Sequence, residues 1–327
     1  MNPNSLLTRK PEVSKTELIG QLHPPPEFAT SSVTNYVPDP RFPSQQRAVD
    51  AARSFVGLGK SKLFSKKAVA PGIYLDGGFG VGKTHLLAAI WHAYSGKKAF
   101  GSFLDYTSLV GYLGFQQAVS ELSKFGLVCI DEFELDDPGD TMIMSRLLKE
   151  LEAKGVRFAA TSNTPPNALG AGRFAAADFQ REIQGLGNRF EMISVDGEDY
   201  RHREIDGHSA NFSEQDLGKW LSEHQSGFLD DFDQLLHHLG QLHPTHYRAL
   251  LKGVGALGLS GVHGLDDQVP ALRLVGFVDR AYEEQIPLRT SGQVPITDVF
   301  PKSMLEGAYR KKYLRAVSRL AALCLLT

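Results

Sequence analysis

One octapeptide constrains the fold more than any other feature of this chain. GGFGVGKT, Gly77 to Thr84, places Gly77, Gly82, Lys83 and Thr84 at the offsets of G-x-x-x-x-G-K-[ST]. An apolar run at Ile73, Tyr74 and Leu75 precedes it, and HLLAAIWHAYSG follows with helical character as far as Ser95 and Gly96. Strand, glycine loop and helix in that order predict a phosphate cradle. The glycines let successive backbone N–H groups turn inward, and the helix N-terminus adds a partial positive charge. The cradle residues are Gly77, Gly78, Phe79, Gly80, Val81, Gly82, Lys83, Thr84 and His85. Lys83 is expected to reach the β- and γ-phosphates of a nucleoside triphosphate, and Thr84 to ligate Mg²⁺.

The flanking pattern extends this unit into a sheet. Apolar runs at 99–104, 127–130, 156–161 and 190–195 alternate with helical periodicity through Leu109, Leu113 and Ala118 and again beyond Pro138. Such alternation with short connections predicts an α/β fold, a parallel sheet flanked by helices. Leu127, Val128, Cys129 and Ile130 run without a polar break, as a strand buried on both faces does, and end on Asp131 and Glu132. Ligands of parallel sheets bind at the carboxyl ends of strands. Asp131 is therefore expected to hold Mg²⁺ and Glu132 to act as general base toward an attacking water. Asp136, Asp137 and Asp140 are better explained as capping and first-turn acids of the next helix, with Pro138 at its first position. Thr161, Ser162 and Asn163 end the following run. Asn163 is expected to orient the water against the γ-phosphate, although Asn before Pro165 and Pro166 also suits a plain turn.

The remainder is less regular. Pro24, Pro25 and Pro26 punctuate a polar N-terminal stretch, predicted as a weakly ordered arm, and Ser44 is the expected N-cap of a helix with Ala48, Val49, Ala52 and Phe55 on one face. Beyond residue 210, helical periodicity at 232–239, 270–282 and 304–323 surrounds short strand candidates at 256–259 and 286–288. The expected organisation is an arm and lead-in helix over 1–65, a P-loop core over 66–210 and a C-terminal α/β extension over 211–327.

Composition removes several function classes. With 35 Lys+Arg against 37 Asp+Glu, the net charge of −2 excludes a binder held to nucleic acid or membrane by bulk charge, and no specific nucleic acid is expected. Cys129 and Cys324 alone cannot build a disulfide framework or a zinc site. No secretory, transit or transmembrane pattern is visible, so a cytoplasmic location is expected. The absence of N-K-x-D favours ATP over GTP. Tyr36, Gln45 and Gln46 either line the adenine pocket or serve packing and surface roles.

The loop, IDEFELDDPGDTMIMSRLL, FAATSNTPPNAL and VDGEDYRHRE together resemble the ZapE-type cell-division ATPases and their mitochondrial relatives. PPPEFATSSVTNYVPDPRFPSQQRAV upstream, and ALRLVGFVDRAYEEQIPLRTSG and YRKKYLRAVSRL downstream, fit the same pattern. The resemblance implies an AAA+-like P-loop ATPase, oligomeric, using ATP and Mg²⁺, that acts on FtsZ polymers at the bacterial division septum. The mitochondrial relatives are linked to turnover of inner-membrane complexes. An arginine finger supplied in trans is also implied. Arg173 stands where the family carries an arginine before a phenylalanine. Its surroundings, GAGRFAAADF, are longer and richer in alanine than the usual pattern, which leaves Arg181 and Arg189 as alternatives. Two further departures are Val81, where many relatives carry arginine, and Glu134, where an aromatic is common.

Arg273 and Arg319 either contact nucleotide from the C-terminal extension or form surface ion pairs. Arg310, Lys311, Lys312, Arg315 and Arg319 make a basic helix whose apolar side is Leu305, Tyr309, Tyr313, Val317 and Leu320. Core packing with solvated charges is the expected reading, and any membrane contact is at most peripheral. An ATP-driven remodeller of a protein partner is the expected function, with a nucleic-acid-associated ATPase such as a helicase loader as the alternative. A septal scaffold with little turnover and a small-molecule kinase fit these residues less well.

Overall fold

The computed structural model describes residues 4–58, 72–78, 80–134, 138–164, 185, 189–198, 211–307 and 309–326. The chain divides into two compact units, Lys15–Arg203 and Met1–Ser14 with Glu204–Thr327. The boundaries expected after residues 65 and 210 both fall on residues outside the described set. Among the described residues, no helix is long and apolar enough to cross a membrane.

The first unit is built on a parallel sheet. Its described strands are β1 (Gly72–Asp76), β2 (Lys98–Ser102), β3 (Leu127–Asp131), β4 (Arg157–Ser162) and β5 (Phe190–Ser194), ordered β2-β3-β4-β1-β5 with every pairing parallel. Two helices, α1 (Lys15–Gly20) and α2 (Pro43–Phe55), precede β1, and α3 (Lys83–Ala93) follows it. Side chains alternate across a strand. Ile73 and Leu75 accordingly pack with Ala48, Val49, Leu86 and Ile90 of the helices, within one buried cluster. Tyr74, between them, meets Phe133 and Phe190 edge-on at 6.0 and 5.7 Å. The edge strand β2 is partly covered, because the Phe100 N–H donates to the Leu22 carbonyl at 3.0 Å.

Helix ends follow local chemistry, with two differences from the sequence reading. α2 begins at Pro43, whose fixed φ suits the first helical position, rather than being capped by Ser44. The Ser44 hydroxyl instead accepts from the Asp196 N–H at 2.9 Å. The single helix expected through Ala118 is two, α4 (Phe103–Leu113) and α5 (Phe115–Leu122), broken where Gly114 takes φ 81°. α4 opens on a capping box in which Ser102 and Asp105 satisfy each other's backbone N–H groups at 2.7 and 3.1 Å. α6 (Pro138–Ala153) starts at Pro138 with Asp140 in its first turn, whereas Asp136 and Asp137 lie outside the described residues.

The second unit holds a smaller parallel sheet of β6 (Gly227–Asp231), β7 (Ala256–Val262) and β8 (Leu288–Gly292), in that order. It also contains α7 (Glu214–Ser222), α8 (Phe232–Gln241), α9 (Gln268–Glu283) and α10 (Arg310–Leu325). Leu235, Leu257, Leu259, Leu274, Phe277 and Leu320 share its core. β6 is absent from the sequence reading because only Phe228 and Leu229 in it are apolar. The helix expected over 304–323 is interrupted, as Lys302–Leu305 and α10 are separate. Arg315 and Arg319 of α10 also depart from the expected solvated face: both bond the buried carboxylate of Asp279 on α9, Arg315 at 2.8 Å.

Residues 4–9 join this unit rather than forming a loose arm. The Asn4 N–H donates to the Gly227 carbonyl at 3.1 Å, and the Leu229 N–H donates to the Asn4 carbonyl at 2.9 Å, extending the β6 edge. Leu6 is fully buried in the core. The Ser5 hydroxyl and the Leu6 N–H bond the two oxygens of buried Asp230 at 2.5 and 3.0 Å. Arg9 lies over the Phe228 ring and donates to the Leu250 carbonyl. Enough apolar burial and enough backbone partners are present to order a short polar stretch.

Candidate active site

The sheet order explains how distant residues meet. β4 lies between β3 and β1, so the strand ends at Asp131, Ser162 and Asp76 are neighbours, and the glycine loop leaves β1 at that same edge. Gly77 faces the β5 exit: a Cβ there would sit 2.1 Å from the Val195 carbonyl oxygen. Gly80 and Gly82 adopt φ 66° and 86°, a left-handed conformation that favours glycine. A Cβ on Gly82 would also lie 2.6 Å from the Tyr36 ring. Phe79 lies outside the described residues.

Inside this turn Lys83 is buried. Its Nζ donates to the Gly77 carbonyl at 3.0 Å, to the Gly78 carbonyl, and to Asn163 Oδ1 at 2.9 Å. One residue on, the Thr84 hydroxyl is 3.2 Å from each oxygen of Asp131. Four residues that the sequence singles out thus meet as two hydrogen-bonded pairs, Lys83 with Asn163 and Thr84 with Asp131, carried by consecutive residues of α3. Glu132 follows at φ 53°, and its N–H donates to the Thr161 hydroxyl at 3.1 Å. A left-handed conformation is uncommon for a glutamate.

Thr161 and Glu134 are the residues that sequence reasoning missed. The buried Thr161 hydroxyl donates to Asp131 Oδ1 and accepts from the Glu132 N–H, so it fixes both acids of the pair. Its signal lay in TSN, where Thr161 reads only as the end of a strand. Glu134 bonds the backbone and hydroxyl groups that follow β4, among them the Asn163 N–H at 2.9 Å.

Other expected residues have different duties. Tyr36 donates its hydroxyl to the Val81 carbonyl at 2.8 Å, bracing the loop from outside, and burial pushes its phenol up to about 12. Gln45 accepts from the Asp39 N–H and donates to the Asp196 carbonyl, each at 2.8 Å. Gln46 pairs with Asp50 on the exposed side of α2. The His85 ring turns toward residues 31–35, with Nε2 2.8 Å from Asn35 Oδ1. Arg189 forms an ion pair with Glu152 of α6, and burial lowers its pKa from the ordinary guanidinium value. Arg173 and Arg181 lie outside the described residues. Arg319 pairs with Asp279, and Arg273 lies against Gly240, both within the second unit.

The sequence model of the AFG1-like ATPases matches residues 12–232 and 219–325. Among curated proteins, Cell division protein ZapE of Escherichia coli (strain K12) is 30% identical over 153 residues, 43% of this chain and 41% of the relative. Lactation elevated protein 1 homolog B of Danio rerio is 36% identical over 92 residues, 28% of this chain and 18% of the relative. The chain thus aligns with less than half the length of either relative. Among solved structures, DnaI is similar at 19% identity and TM-score 0.43, over 54% of this chain and 93% of that chain. The DnaC helicase loader is similar at 16% identity and TM-score 0.38, over 52% of this chain and 99% of that chain. The family match takes in both units and carries the resemblance of the loop, the acidic pair and the downstream helices through nearly the whole sequence: the chain belongs to the AFG1-like ATPase family.

Proposed function

We propose that this chain hydrolyses ATP at the 77–84 loop and uses the cycle to remodel a protein partner, the FtsZ polymer of the bacterial division septum. The observation that carries the chemistry is the convergence of Lys83, Thr84, Asp131 and Asn163 at the end of the sheet. The name of the Escherichia coli relative supports a partner in cell division.

Lys83 now rests on two loop carbonyls and Asn163. The β- and γ-phosphate oxygens, which are stronger acceptors, take over that ammonium when ATP enters. The first turn of α3 follows the glycine loop directly, and its N–H groups would line the phosphates of a bound nucleotide. Thr84 Oγ1 and the Asp131 carboxylate offer hard oxygen donors side by side, which fits Mg²⁺. Mg²⁺ is usually held by one or two protein oxygens together with substrate phosphates, so the cation would enter with the nucleotide. Magnesium, when bound, neutralises charge on the phosphates. Asn163 orients the attacking water and Glu132 accepts its proton, leaving ADP and phosphate. Arg173 of a neighbouring copy, with Arg181 as the alternative, supplies the guanidinium that stabilises the transition state in a homo-oligomer. Arg189 is held by Glu152 of its own chain and is the weaker candidate.

The test is steady-state ATP turnover, titrated separately with assembled FtsZ and with single-stranded DNA. Stimulation by FtsZ alone is expected. Stimulation by DNA alone, weakening steeply with salt, would replace the partner reading with a nucleic-acid-associated ATPase.

A further inference from the structure

Glu134 plays no part in the reaction as just described, yet it is bound to the end of β4 by three hydrogen bonds. Oε1 accepts from the Asn163 N–H at 2.9 Å and from the Ser162 hydroxyl at 3.3 Å. Oε2 accepts from the Thr164 hydroxyl at 3.1 Å. The same turn is held from the β1 side, where the Tyr74 hydroxyl donates to the Thr164 carbonyl at 3.1 Å, and internally by the Thr164 N–H on Ser162 Oγ at 3.0 Å. Asn163 is thus fixed through its backbone while its side chain faces Lys83 at 2.9 Å.

The other end of the link is the β3 exit. Glu132 and Phe133 both donate their N–H groups to Thr161, at 3.1 and 2.7 Å, and Glu134 is the next residue along. A movement of the exit that carries Glu132 therefore carries Asn163 with it, and charge-assisted bonds from a carboxylate are stiffer than neutral ones. Water activation needs its base and its orienting group in register, and a misplacement of about 1 Å costs on the order of a hundredfold in rate.

We propose that Glu134 is a positioning residue for ATP hydrolysis. It clamps residues 162–164 to the β3 exit and so sets the spacing between Glu132 and Asn163. The proposal rests on the ATPase reading of this site. Because these bonds go to the β4 end and not to the glycine loop, its loss is read in kcat and not in nucleotide affinity.

The test compares wild type with Glu134→Ala, Glu134→Gln, Asn163→Ala and the Glu134→Ala/Asn163→Ala double variant. Steady-state ATP turnover and titration of a fluorescent ATP analogue are measured for each. Glu134→Ala is expected to lower kcat by roughly tenfold to a hundredfold with the analogue Kd unchanged. Glu134→Gln restores most of kcat, since the amide oxygen still accepts the Asn163 N–H. The double variant is no slower than Asn163→Ala alone, as residues acting through one another are not additive. Wild-type kcat in Glu134→Ala, a multiplicative loss in the double variant, or a loss of affinity matching the loss of kcat would each overturn the proposal. Turnover in wild type with Glu134→Ala unaffected removes only this role. No turnover in wild type removes the ATPase reading and this role together.

Discussion

Gly82 shows how a single backbone dihedral shapes the site. Its φ of 86° turns the loop into α3, and the space where a Cβ would sit is filled by Tyr36, whose hydroxyl holds Val81. Gly82→Ala must adopt the left-handed conformation, at about 1–2 kcal/mol, and also displace the ring. We expect a lower melting temperature and weaker binding of a fluorescent ATP analogue, both read directly in solution. Unchanged binding would mean that the loop tolerates a different turn. At this scale Lys83, Thr84, Asp131 and Asn163 were legible because each sits at a fixed offset from a strand end. Thr161 and Glu134 were not, since their duties arise from β4 lying between β3 and β1, a long-range register that local spacing does not encode. For Tyr36 the sequence leaves adenine contact and packing open, and the structure shows its hydroxyl on the Val81 carbonyl.

Elements were legible where periodicity was long and unbroken, as in α3, α6 and α9. They were misread where one residue redirects the chain, as Gly114 does between α4 and α5, or where a strand is short and half polar, as β6 is. The pairing of α9 with α10 makes a prediction of its own. Burial alone would raise the Asp279 carboxyl, but Arg315 and Arg319 outweigh it and hold the group below the usual carboxylate range. Its folded pKa is depressed, so the stabilisation is present above the unfolded value of about 3.9 and is lost as pH falls through the folded value. Asp279→Asn is expected to cost on the order of 3 kcal/mol at neutral pH, because the carboxylate is removed from between two guanidiniums. Thermal melts from neutral to acid pH should show the gap between variant and wild type narrowing below about pH 4. A gap that is constant with pH would show that packing, not the ion pairs, joins these helices.

For the molecule as a whole, residues 4–6 close on strands more than two hundred positions away: Ser5 on Asp230, Leu6 in the core around Phe228 and Leu257. Leu6→Ala removes a fully buried side chain, at about 2–5 kcal/mol. It should also loosen Asn4 from β6, so faster hydrogen exchange of the Leu229 amide is the expected readout. Retention of wild-type protection there would mean that the backbone bonds hold without the leucine. Patterning points to an α/β chain but not to the packing of residues 4–9 with the β6–β8 unit, because polar residues and downstream prolines mask one well-placed leucine.

The most direct measurement is ATP turnover beside nucleotide binding for wild type, Lys83→Ala and Glu132→Gln. The account predicts turnover in wild type, loss of nucleotide binding in Lys83→Ala, and intact binding in Glu132→Gln with turnover lower by about 10²–10⁴-fold, the usual worth of a general base. Wild-type turnover in Glu132→Gln would contradict it.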